Sequence, residues 1–191
     1  MKKIRGYRRK LRGLQQDCAH HSPLDAAELF RSHYDYAKLG LGAWHWHGQR
    51  LPKAVRQLAA QKLLRTFGQW QGQLTRQAGP FYLAVWLTEA DFAHTSQVVA
   101  GIQERIPWYQ DVFGPAVPDA PPLPPEYQQL PGADHLSWTT HAHEEWLDTF
   151  DYPNGWPAHE LRRPHRFHTA EDGEQYLIVQ IGWVWVGQFP K

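Results

Sequence analysis

The chain has 191 residues, a formal net charge of +1 and one cysteine. That length predicts a single domain able to bury a core without disulfides or metals. Ten Trp, eight Tyr and eight Phe exclude a disordered chain, and the unpaired Cys18 excludes an intrachain disulfide framework and points to a reducing cytoplasm.

In chain order, residues 1–14 form a basic N-terminal segment with Ile4, Tyr7, Leu11 and Leu14 at helical spacing. No apolar stretch of signal-peptide type follows it. Ser22-Pro23-Leu24-Asp25 is a helix start, with Ser as N-cap and Pro in the first turn. It predicts a helix over 23–37. Residues 39–48 alternate and read as a short strand or extended loop. Pro52 opens the clearest helix: Val55, Leu58, Ala59, Leu63, Phe67, Trp70 and Leu74 recur every three or four residues. Lys62, Arg65 and Arg76 fall on its other face. Strands are predicted over 81–87 and 96–100, and a short helix over 107–113. Residues 115–131 hold seven of the fifteen prolines and must be a loop of polyproline II character. Residues 135–143 read as a strand and 144–150 as a helical turn. A hairpin over 164–181 turns at Asp172-Gly173, and 183–189 continues as strand or bends at Gly182 and Gly187. The whole reads as one α+β domain, with N-terminal helices packed on a mainly antiparallel sheet and a long proline-rich internal loop. The longest apolar runs are too short to span a bilayer, so no membrane insertion is expected.

The small net charge is a balance of large blocks. Residues 1–12 carry seven basic residues and no acid, and so do residues 36–88. Residues 106–161 carry nine acids and no Lys or Arg. Either these segments neutralise each other within the fold, or one of them faces a charged partner.

Several constellations are candidates for chemistry. Thr140-His141-Ala142-His143 puts two imidazoles on one face of a strand, where His141 and His143 can share a zinc ion. A third ligand would come from His159, His165 or His168. Trp44-His45-Trp46-His47 has the same geometry. Pro124-Pro125-Glu126-Tyr127 carries the Pro-Pro-x-Tyr pattern that WW modules read, in a loop where such matches arise by chance. No phosphate-binding glycine loop, nucleophile elbow or paired Cys motif is present in the sequence.

Four stretches resemble a bacterial family of small cytosolic proteins known only as a domain of unknown function. They are Lys3-Ile4-Arg5-Gly6 with Arg9-Lys10; Leu51-Pro52-Lys53-Ala54-Val55-Arg56 with Gln61-Lys62-Leu63-Leu64; Ser96-Gln97-Val98-Val99; and the closing aromatic strand to Gly187. The resemblance implies a bacterial cytosolic α+β domain and no activity.

The expected function is a cytoplasmic binding protein with a protein partner, in one version an immunity-type protein that neutralises a toxin by charge complementarity. Trp, Tyr and Arg are the usual interface anchors, and Arg5, Arg8, Arg9, Arg12 and Arg65 are the candidate contacts. One alternative is a metal-dependent hydrolase built on His141 and His143 with zinc. A second is nucleic-acid binding through the basic N-terminus.

Overall fold

The computed structural model describes residues 9, 12, 16, 24, 25, 27, 29, 31, 34–38, 52–76, 80–89, 92–102 and 113–190, with backbone alone for 34–38, 93 and 94. The 3.6-residue apolar repeat after Pro52 becomes helix α1, Lys53–Leu74, preceded by β1, Tyr34–Lys38. Strands β2 (Tyr82–Thr88) and β3 (Gln97–Gly101) follow, joined by the short helix α2, Phe92–Thr95. Then come α3 (Pro125–Gln128), β4 (Ser137–Asp148), a 3-10 turn (Thr149–Asp151), β5 (His165–Thr169) and β6 (Gln175–Gln188). Among the described residues this is one antiparallel sheet with helices, an α+β fold. No described helix is long and apolar enough to cross a membrane.

The sheet runs β1-β3-β2-β6-β4, and β5 pairs β6. One face packs on α1: Leu63, Phe67 and Trp70 meet Leu83, Val85, Leu87, Val98, Ala100 and Trp185 in the main core. Each large aliphatic side chain removed from water there contributes about 1.5–3 kcal/mol. The other face carries a smaller apolar cluster, Tyr82, Ala84, Trp86, Val99, Val184 and Val186, with Phe113 packed against it.

β6 is the organising strand. It pairs β4 along one edge over twelve residue pairs. Its other edge is shared: β2 takes Val184–Gly187 and β5 takes Gln175–Val179. Between them, the Gln180 amide donates to the Pro164 carbonyl and the Trp183 carbonyl accepts from the Glu89 amide. A β-bulge interrupts the β4–β6 register, since His143 faces Gly182 while Glu144 faces Gln180. Ile181 is the extra residue, and it reverses the alternation of β6. Trp183 and Trp185 therefore join the helix-side core. Leu177 and Val179, which a strict two-residue period would place with them, turn to the opposite face and pack with Leu147.

The structure corrects four boundaries. The helix expected over 23–37 does not reach 37: Ala27, Leu29 and Arg31 are helical, but Tyr34–Lys38 is strand β1. Pairing with the open edge of β3 overrides local helix preference there. Residues 144–148 are strand rather than helical turn, because β6 continues past the bulge and keeps β4 paired to Asp148. The proline loop contains α3, with Pro125 at its first position. Helix α2 was not anticipated. The alternating segment 39–48 and most of 1–14 and 107–113 lie outside the described residues.

Candidate interaction site

Beyond the bulge, the ends of β4, β5 and β6 form a three-stranded lobe, closed by residues 149–164. Its own small core is Leu147, Leu177 and Val179, covered by Tyr152 and Trp156 from the closing loop. Ile178 is buried on the opposite face of the lobe, and much of the remainder is open to solvent. Every residue of β5 is exposed. Of the large hydrophobic side chains exposed among the described residues, Trp146 (55% exposed), Phe150 (87%), Phe167 (61%) and Leu161 lie here; Val117 is the other. Register puts Trp146 on one face of the lobe and Phe167 on the other, because Trp146 pairs Ile178 and Phe167 pairs Leu177. Trp146 leans across the sheet: its ring lies 5.3 Å from His168 and 5.7 Å from Tyr176, centroid to centroid.

The lobe is also acidic. Residues 144–179 hold eight acids and three arginines. Two of those arginines are engaged locally. Arg163 donates to Glu160 at 3.1 Å. Arg166 forks onto Glu144, with its Nη2 2.7 Å from Oε2, and this hydrogen bond raises the Arg166 pKa. Asp148 accepts from the Phe150 amide at 2.8 Å and so starts the 3-10 turn. The Tyr176 hydroxyl donates to Glu174 at 2.6 Å. That bond first, then burial, then the charges of Glu174, Asp148 and Asp172 push the Tyr176 pKa up to about 12. The lobe thus presents aromatic rings inside a negative field.

Below the lobe, the proline loop straps the helix side of the sheet. The Pro121 carbonyl accepts from Thr140 Oγ1 at 3.0 Å and from Trp185 Nε1 at 3.1 Å. Leu123 and Tyr127 are buried in the main core. Arg56 of α1 donates to Glu126 Oε1 at 2.8 Å and to the Tyr127 hydroxyl at 3.2 Å. Burial acts most strongly, to lower the Arg56 pKa, and the hydrogen bonds and charges of Glu126 and Tyr127 together outweigh it, so the net shift is upward. The same bond holds the Glu126 carboxyl below its ordinary value, with Lys53 adding to the effect. A cleft of about 460 Å³ opens between this strap and β6, lined by Arg56, Glu89, Glu126, Tyr127, Trp183, Trp185 and four prolines. The opposed charge blocks therefore meet within the fold: Lys53 and Arg56 from the basic segment hold Glu126 from the acidic one.

No family model, curated protein or solved structure matches this chain.

The sequence-predicted site residues are scattered. His141 and His143 do share one face of β4, beside Phe113 at 6.4 and 6.3 Å between ring centroids. Both ring nitrogens of His141 are engaged. Nδ1 lies 3.1 Å from the Gly114 carbonyl, which can only accept, so Nδ1 carries the proton. Nε2 then accepts from Thr139 Oγ1 at 3.0 Å. His159 sits on Glu160, His165 on the Arg163 carbonyl, and His168 on Trp146. Among the described residues, no group of three His, Cys, Asp or Glu is placed to hold a metal ion. Arg9, Arg12 and Arg65 are exposed; Arg5, Arg8, Cys18 and the 44–47 histidines and tryptophans lie outside the described residues. Tyr127 of the Pro-Pro-x-Tyr stretch is only 3% exposed, so a WW module cannot reach it. The lobe aromatics were not singled out from sequence. Their signal is the mixture of acids and rings in Glu144-Glu145-Trp146-Leu147-Asp148-Thr149-Phe150-Asp151, which becomes readable once the register is known.

Proposed function

We propose that this chain is a non-enzymatic binding protein that docks a basic protein partner on the acidic, aromatic lobe of its sheet. The observation that carries this reading is the concentration of exposed Trp146, Phe150 and Phe167 in one lobe. Exposed aromatic side chains are the usual anchors of protein interfaces, and the lobe offers them on both of its faces. The surplus of acids around them chooses the sign of the partner and speeds its approach. In the immunity-type version of this reading, the partner is a toxin whose basic working surface the lobe covers. Membership of the bacterial cytosolic family that the sequence resembles belongs to the same proposal.

The test compares the native protein with a Trp146→Ala/Phe167→Ala variant as baits in lysate of the source organism. The native bait should retain a basic protein that elutes as salt rises, and the variant should lose it. If both baits retain the same proteins, or neither retains any, the reading falls.

A further inference from the structure

We propose that the lobe takes its basic partner as an added β-strand, an extended Lys- or Arg-bearing segment laid along the outer edge of β4 from Ala142 to Asp148. This inference rests on the partner reading above and names how the partner is held. The ladder fixes which backbone groups face that edge. In an antiparallel pair, alternate residues point their amide and carbonyl to opposite sides. The Trp183 carbonyl and the Gln180 amide point away from β4, toward Glu89 and Pro164. Their ladder partners Ala142 and Glu144 therefore point away from β6, and at the same two-residue period so do Trp146 and Asp148. The proline strap covers the earlier part of this edge: the Thr140 carbonyl accepts from the Val117 amide at 2.9 Å. From Ala142 onward, the outward backbone groups have no partner among the described residues.

Such an edge is a template for another strand. Edges that are merely guarded carry Lys, Pro or a bulge of their own. Residues 142–148 contain no Lys or Pro, the bulge lies in β6, and exposed Trp146 sits in the middle of the stretch. A second copy pairing through the same edge is disfavoured. Two-fold antiparallel pairing centred on Glu144, Glu145 or Trp146 would set Glu144 against itself, Glu145 against itself, or Glu144 against Asp148, and like charges directly opposite destabilise a sheet. A basic strand meets the reverse situation. Glu144, Trp146 and Asp148 alternate on one face of β4, with Glu145 on the other. A segment with cations two residues either side of an apolar residue sets them opposite Glu144 and Asp148 and lays its apolar chain across Trp146. Arg166 already holds Glu144, so Asp148 and Glu145 carry most of the charge selection.

The test adds synthetic peptides to the full chain and follows amide hydrogen exchange by NMR. The probe is acetyl-Thr-Lys-Thr-Leu-Thr-Lys-Thr-amide. One control is the same peptide N-methylated at its Lys and Leu residues, which keeps the side chains and removes the donors that would face β4. A second control has Glu in place of Lys. The probe should bind with a Kd on the order of a millimolar. It should slow exchange at Glu144, Trp146 and Asp148 and leave Glu145 and Leu147, whose amides already face β6, unchanged. The N-methylated peptide should bind at least roughly tenfold more weakly, and the Glu peptide should not bind. The inference is overturned if the N-methylated peptide binds as well as the probe, if the slowing shows no alternation, or if the probe does not bind at tens of millimolar. N-methylated peptide that binds fully to the native chain but not to Trp146→Ala/Phe167→Ala would remove the strand and leave the basic-partner reading standing. Equal binding by the Glu peptide would remove both.

Discussion

Gly187 shows how closely single residues are fitted here. It faces Trp138 across the β4–β6 ladder. A Cβ at Gly187 would lie 2.8 Å from Trp138 Cη2 and 3.0 Å from Leu136 Cδ1. The indole cannot swing aside freely, because its Nε1 donates to the Ala133 carbonyl at 2.9 Å. Gly187→Ala should therefore lower unfolding free energy by about 1–3 kcal/mol through overpacking, measured by urea denaturation. Adding Trp138→Leu should shrink that cost, since the clash is removed with the ring. The Arg56–Glu126 pair gives a second prediction. Glu126→Ala should cost about 1.5–3 kcal/mol, the usual worth of a hydrogen bond to a charged group. Because the folded carboxyl has a lowered pKa, its contribution is present above the unfolded value of about 4.3 and is lost as pH falls below it. The stability curves of native protein and Glu126→Ala should run parallel at neutral pH and converge in acid.

Among the elements, α1, β2, β3 and the β5–β6 hairpin were legible because their signals are local. A seven-position apolar stripe writes α1, an uncharged aromatic run writes β2, and Asp172-Gly173 writes the turn, where Gly173 takes φ 88°. The lobe was not legible, because its geometry depends on Ile181. One residue without a ladder partner decides that Leu177 and Val179 leave the face of Trp183 and Trp185; Gly182 beside it marks a bend, but nothing local says that the bend shifts the register. The strap was hidden for a similar reason: seven prolines read as irregular chain, yet the Pro121 carbonyl finds donors on β4 and β6. The lobe's separate core makes a prediction at this scale. Leu177→Ala should cost about 2–5 kcal/mol locally. Hydrogen exchange should then speed up at the amides of β5 and the adjoining half of β6, with those of β2 and β3 little changed. Uniform acceleration across the sheet would show that the lobe and the body unfold as one.

For the whole molecule, charge is arranged in two ways at once. Some of the opposed blocks cancel inside the fold, as Lys53 and Arg56 do with Glu126. Among the described residues, the lobe's surplus of acids is not cancelled and faces outward. Glu145→Lys with Asp151→Lys, both at exposed positions, should therefore leave stability within about 0.5 kcal/mol. Association with a basic partner should slow at low ionic strength, and the difference from the native protein should fade as salt screens it. Stopped-flow binding at two salt concentrations measures this.

The shared edge of β6 also has a mechanical consequence. Because β2 and β5 occupy different stretches of it, β4 and β6 are the two strands that run through both body and lobe. A partner seated on Trp146 and pulling along the strands would load the β4–β6 ladder in shear, with its twelve residue pairs resisting together. A pull applied sideways at β5 would instead peel a five-residue strand one bond at a time. The same lobe would be a firm handle in one direction and a tear-off tab in the other.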